Sequence, residues 1–156
     1  MIRSTAPLGV ALLTVLGACA STPERFYTLR SVAEPTATRL AVSVSVGPAV
    51  IPAIVDNPAI ILSVGPSEVE VDDFAHWASP LQDGIAHAVA GDLTALLGTQ
   101  RVTLSADTWT QTPDYRVAIE VERFGSAPGD AATLDAVWTI RDGTGTIARE
   151  GRTTVG

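Results

Sequence analysis

The sequence predicts an α+β protein: one antiparallel or mixed sheet of five to seven strands, with a single main amphipathic helix packed on a face. Three observations lead there. Residues 80–97 carry Leu81, Ile85, Val89, Leu93, Leu96 and Leu97 at helical spacing, and Gly98 stops the pattern. Several short stretches instead alternate apolar and polar residues with period two, as in Asp114 to Phe124, where Tyr115, Val117, Ile119 and Val121 oppose Arg116, Glu120 and Glu122. Turn signals such as Gly65-Pro66 and Asp142-Gly143 separate these stretches.

The first eighteen residues read as an export signal. Arg3 is their only charge, Ala6 to Ala18 is an apolar run, and Leu16-Gly17-Ala18 places small residues before Cys19. A spanning helix wants about 20 apolar residues, so this run is one to be removed. Cys19 is the only cysteine of the chain, and it stands where a lipobox places the residue that receives diacylglycerol. A lone thiol in an oxidising compartment has no disulfide partner, which favours lipidation. Cys19 is then the first residue of the mature chain, with a covalent diacylglycerol and an N-acyl lipid. Those chains anchor through about 0.8 kcal/mol per buried methylene. Ala20 follows in place of an aspartate that retains lipoproteins at the inner membrane, so the expected location is the outer membrane, periplasmic face.

The domain plan is therefore a signal peptide over 1–18, a lipid-anchored tether over 19–39 and one α+β domain over 40–156. Within the tether Phe26 to Leu29 has the composition of a short strand. Leu40, Val42, Val44 and Val46 alternate in the first full strand, which Gly47-Pro48 is expected to end. An irregular crossing through Pro52 and Pro58 leads to a hairpin. Ile60, Ile61, Leu62 and Val64 run into Gly65-Pro66-Ser67, and Val69 and Val71 return alternating with Glu68 and Glu70, which predicts a half-exposed strand. The helix start is written as Ser79 at the N-cap, Pro80 at the first helical position and Gln82 closing a capping box. After it come a short strand at Arg101 to Leu104, a loop over Asp107 to Pro113 carrying Trp109, the Asp114 to Phe124 strand, and a meander of Thr133 to Ile140 and Thr146 to Arg149.

Charge narrows the partners. The chain has 10 basic and 17 acidic residues, and losing Arg3 with the signal leaves 9 against 17, a net of −8, with arginine as its only cation. That balance is unsuited to nucleic acid, where binding rests on neutralising phosphates, and to lying on anionic lipid by electrostatics. His76 and His87 lack metal-ligand spacing, no metal is expected, and no nucleophile elbow or phosphate loop is present. Glu68, Glu70, Asp72 and Asp73 lack the ordered spacing of a calcium loop and read as a solvated strand edge. His87 follows Asp83 by four residues, a surface helix pair. No catalytic residue is assigned and the protein is not expected to be an enzyme.

The tryptophans remain. Trp77, just before the helix, either staples hairpin to helix or contacts a partner, and Trp138 belongs to a core-facing alternation. Trp109, in a polar loop, is the stronger candidate for partner contact.

The order Val46-Gly47-Pro48, Asp56-Asn57-Pro58, an apolar strand and hairpin, then His76-Trp77-Ala78-Ser79-Pro80-Leu81 opening a helix, resembles the auxiliary lipoproteins of ABC-type transport systems. These are the PqiC-like lipoproteins that work with MCE-domain proteins in lipid traffic between the two membranes of Gram-negative bacteria. The resemblance spans roughly Phe26 to Arg149, and its motifs are structural punctuation. It implies a non-enzymatic accessory subunit with an MCE-domain protein and an ABC permease and ATPase as partners. The other class left open is a stand-alone periplasmic lipoprotein that binds a ligand or assists assembly. The family continues into a C-terminal amphipathic helix, for which this chain shows no pattern. An apolar face uncovered in this way favours association, so a homo-oligomer is also expected.

Overall fold

A computed structural model describes residues 22–105, 112–127, 129 and 132–156. Among these residues the fold is α+β, with eight strands and one helix. Five strands make the main mixed sheet: β2 (Val44–Val50), β5 (Val102–Leu104), β6 (Tyr115–Ser126), β7 (Ala132–Asp142) and β8 (Ile147–Val155), in the order β5-β2-β6-β7-β8. The other three, β1 (Arg25–Tyr27), β3 (Ala59–Ser63) and β4 (Val69–Trp77), form a second sheet in the order β1-β4-β3. The expected single sheet is thus divided, the hairpin going to a small sheet of its own.

The core forms where the helix α1 (Leu81–Leu97) and the small sheet meet one face of β2 and β6. Val44 and Val46 from β2, Val117, Ile119 and Val121 from β6, Ala136 from β7 and Leu81 and Ile85 from α1 are buried together, and Val46 has no exposed surface. The period-two pattern of β6 decides this, since each residue facing the core is branched and each alternate one is polar or small. Burying such side chains contributes about 1.5–3 kcal/mol each, as an upper figure against an unfolded chain that is already partly compact.

Three local expectations change. Gly47-Pro48 does not end β2; the strand passes through a cis Gly47–Pro48 peptide, with Gly47 at φ 105°, and resumes pairing as Ala49↔Ile119. Among the described residues β5 pairs only with Val44 to Val46, so no described ladder on that side of β2 needs a donor from the proline. The capping box is not made either. Pro80 itself takes the cap position at ψ 131°, with no side-chain cap bond, and its carbonyl accepts from Asp83 and Gly84 N–H. At the other end Gly98 closes α1 in the left-handed conformation, φ 60°, as expected.

The third change concerns residues 22–39, the described part of the expected tether over 19–39. Arg25–Tyr27 pairs parallel to β4, and the chain then lies along α1 as a strap. Gly84 and Gly91, seven residues apart on one helix face, leave room for Leu29 and Ser31, and a Cβ at Gly91 would come within 2.7 Å of the Ser31 Cβ. Thr36 N–H donates to Ala95 O, Thr36 Oγ1 to Leu96 O, and Leu40 N–H to Leu97 O. These bonds satisfy carbonyls that the end of a helix leaves open.

Candidate docking surface

The hairpin of β3 and β4 stands out from the main sheet. Asn57 Oδ1 accepts from Ala59 N–H in a turn that starts β3, and Val64 N–H donates to Glu68 O to close the hairpin. Side-chain alternation predicts one buried face at the return strand, yet Val64, Val69, Val71 and Phe74 are all 43–47 % exposed. The reason is position: one face of the hairpin hangs over the far end of β6 and β7 with a gap between, and the other meets solvent. Glu68, Glu70 and Asp73 are exposed on the same hairpin, Glu68 and Glu70 on the face opposite Val69 and Val71, so the hairpin offers apolar side chains on one side of this stretch and acids on the other. Asp72 accepts from Phe74 N–H and lies 3.6 Å from the Arg25 guanidinium, which ties the strand to β1.

Among the described residues the gap holds two small cavities, both lined by Phe124. One, about 240 Å³, is lined by Pro52, Ile61, Val69, Glu122, Arg123 and Thr133 among others. The second, about 180 Å³, is lined by Leu29, Ile60, Trp77, Leu81, Phe124 and Ala132 among others. Both are smaller than the roughly 300–1,000 Å³ of small-molecule pockets.

Trp77 is the last residue of β4 and half buried. Its ring meets Phe124 edge-on, at 6.0 Å and 72°, so it joins the small sheet to β6 across the second cavity. Trp138 lies on the core side of β7; its Nε1–H donates to Thr153 Oγ1 at 3.2 Å and its ring covers Gly151. Cys19 and Trp109 lie outside the described residues. The two histidines are apart. His87 Nδ1 donates to the Asp83 backbone carbonyl at 2.8 Å in place of its carboxylate, and His76 packs near the Phe26 ring at 5.7 Å. Among the described residues no three His, Cys, Asp or Glu side chains are placed to hold a metal ion.

The carboxylates with shifted titration are anchors. Asp92 is held below the usual range by the Ser31 hydroxyl first, and also by the Ala33 and Val32 amides, all bonded to one oxygen at 2.7–2.9 Å. The Ser43 amide and hydroxyl lower Asp114, which fixes the start of β6 beside β2. The Thr144 hydroxyl, with backbone amides of the β7–β8 turn, lowers Asp142. On the outer face of the sheet Arg152 binds Glu122 and Asp135, and those partners raise its already high pKa. Sequence reading singled out neither Asp92 nor this arginine cluster; the spaced glycines of α1 were the available sign that something packs close along the helix.

Residues 27–155 match the family model described as "ABC-type transport auxiliary lipoprotein component". Among solved structures, the chain is similar to the crystal structure of protein XCC0632 from Xanthomonas campestris, of family DUF330, with TM-score 0.69 and 22 % identity over 84 % of this chain and 76 % of that one. It is also similar to the crystal structure of an uncharacterized protein, with TM-score 0.66 and 12 % identity over 86 % of this chain and 80 % of that one. At these identities the likeness is one of fold. A search of curated proteins finds no match.

Proposed function

Because the chain belongs to the ABC-type transport auxiliary lipoprotein family, we propose that it is a non-enzymatic accessory subunit that docks an MCE-type periplasmic assembly at the outer membrane for lipid traffic. The anchor in this proposal is the diacylglycerol and N-acyl lipid on Cys19, and the partners are an MCE-domain protein with its ABC permease and ATPase. The observation that carries docking over carriage is the hairpin surface. It exposes valines and a phenylalanine on a hairpin that also carries exposed carboxylates, while the two cavities found beneath it among the described residues are too small for a phospholipid. Apolar side chains of this kind supply contact area, and the acids of the hairpin select a basic counterpart. Trp109 is retained as a second contact.

In-cell crosslinking of a tagged full-length protein, followed by identification of what copurifies from membranes, tests this. Recovery of an MCE-domain protein or the permease and ATPase supports docking, and replacing Val71 and Phe74 by serine, or Trp109 by alanine, should reduce that recovery without unfolding the protein. Recovery of the lipoprotein alone, from cells that contain those transporter proteins, would favour a stand-alone ligand-binding or assembly role.

A further inference from the structure

We propose that the outer edge of β8 is a homodimerisation site, at which a second copy of this chain adds its own β8 antiparallel about a two-fold axis through Gly151. This contact is separate from the hairpin surface and stands whether or not the docking proposal does.

β8 is the last strand of the main sheet, nine residues long, and exposed at every position but Gly151, which is half buried. Among the described residues nothing pairs with its outer edge, so a row of backbone N–H and C=O groups faces outward. Charged side chains on an edge usually deter pairing. Here their order along the strand, Arg149-Glu150-Gly151-Arg152, has the opposite effect when a copy meets itself. With the axis at Gly151, Glu150 faces Arg152 of the second copy and, by symmetry, Arg152 faces Glu150, while Arg149 faces Thr153.

The side-chain alternation makes this register the favoured one. A two-fold axis normal to the sheet keeps both core faces on one side, so opposed residues must share a face and the register slips only in steps of two. The nearest slip one way opposes Glu150 to Glu150. The nearest slip the other way opposes Arg152 to Arg152. Both place like charges in direct opposition, which destabilises a ladder. The β8 pairing with β7 is irregular between Ile140 and Arg141, which leaves Ala148 as an extra residue, but Arg149 to Thr153 lies within the regular part.

Two further features suit the edge to this contact. The Trp138 indole lies over Gly151, where a Cβ would come within 2.5 Å of the ring, so the strand carries no side chain at the axis. The Nη1 and Nη2 groups of Arg152 are held by Glu122 and Asp135, which fixes the guanidinium while its Nε–H has no partner among the described residues. The Glu150 carboxylate likewise has no partner among the described residues, and in the dimer it reaches that free donor.

The test is disulfide crosslinking of the full-length protein in its own membrane. Arg149→Cys together with Thr153→Cys opposes two thiols across the axis, whereas the same positions within one copy are four residues, about 13 Å, apart. Covalent dimer from the double variant, and none from either single variant, supports the proposal. Covalent dimer from Glu150→Cys alone or Arg152→Cys alone would mean a slipped register and overturn it. Sedimentation in detergent is the second measurement: Glu150→Arg should weaken dimerisation at least tenfold with an unchanged circular dichroism spectrum. A wild-type protein that stays monomeric at every concentration, or an oligomer indifferent to Glu150→Arg, refutes the site.

Discussion

Replacing Asp92 by alanine is expected to free the strap from the helix and cost the protein about 2 kcal/mol. One carboxylate oxygen accepts from Ser31 Oγ, Val32 N–H and Ala33 N–H at 2.7, 2.8 and 2.9 Å. Bonds to a buried charged acceptor are worth about 1.5–3 kcal/mol each, but Asp92 is largely in solvent, so about 0.5–1 kcal/mol apiece is the appropriate scale. For a domain of this size each kcal/mol moves the melting temperature by about 3–5 °C, which predicts a fall of about 6–10 °C. The effect has a pH signature. The folded-state pKa of Asp92 is lowered, so its contribution is fully present above the ordinary aspartate value of about 3.9 and is lost as pH falls through the lower folded value. Wild type and Asp92→Ala should therefore differ by a constant amount near neutrality and converge in acid. Thermal melts of the detergent-extracted protein at pH 7 and pH 3, with hydrogen exchange at the Val32 and Ala33 amides, make the measurement. An unchanged melting temperature with both amides still protected would refute the assignment of Asp92 as the strap's anchor.

Gly98→Ala should lower the urea midpoint by at least the equivalent of about 1–2 kcal/mol. The left-handed backbone at φ 60° penalises a side chain, and the new Cβ would press on the Thr38 carbonyl of the strap. Trp77→Ala should cost about 2–3 kcal/mol, below the value for a fully buried tryptophan, and a double-mutant cycle with Phe124→Leu should return a coupling of about 0.5–1.5 kcal/mol if the edge-on contact joins the two sheets. A zero coupling would separate them. Cys19→Ser is expected to move the protein from the membrane fraction to the soluble periplasm, read by fractionation and blotting.

What the sequence made legible is what side-chain period encodes. The buried stripe of α1, its stop at Gly98 and the alternation of β6 follow from patterns a few residues long, because each of those elements lays one face on the core. The strap escaped because its order comes from polar bonds to Asp92 and helix carbonyls about sixty residues away, which leave no local pattern. Pro48 read as a terminator since proline lacks a donor, yet among the described residues no strand pairs with β2 beyond Val46 on the β5 side, so no donor is called for there. Ser79 had the chemistry of a cap without its geometry. The alternation in Val69 and Val71 was correct as a strand signal and misleading as a burial signal, because it reports a pleat and not what lies against it. Of the site residues, Trp77 was found by size, whereas Phe124 and Ile61 belong to the cleft only through the packing of one sheet on another.

The stitching of β1 into the small sheet also sets a length. With lipid on Cys19, only six peptide steps separate the anchor from Arg25, a reach of at most about 20 Å. β1 pairs with Ala75 to Trp77, the end of β4 that leads into α1, so the chain joins the small sheet beside the start of the helix and six residues along β4 from Val69, where the hairpin returns. The leash is thus short, and it is made fast at the α1 end of the small sheet, not at the hairpin turn. With Arg25 held within about 20 Å of the lipid and the turn about 20 Å further along β4, the hairpin stays within about 40 Å of the anchoring membrane, which bounds how far a partner that reads it has to reach.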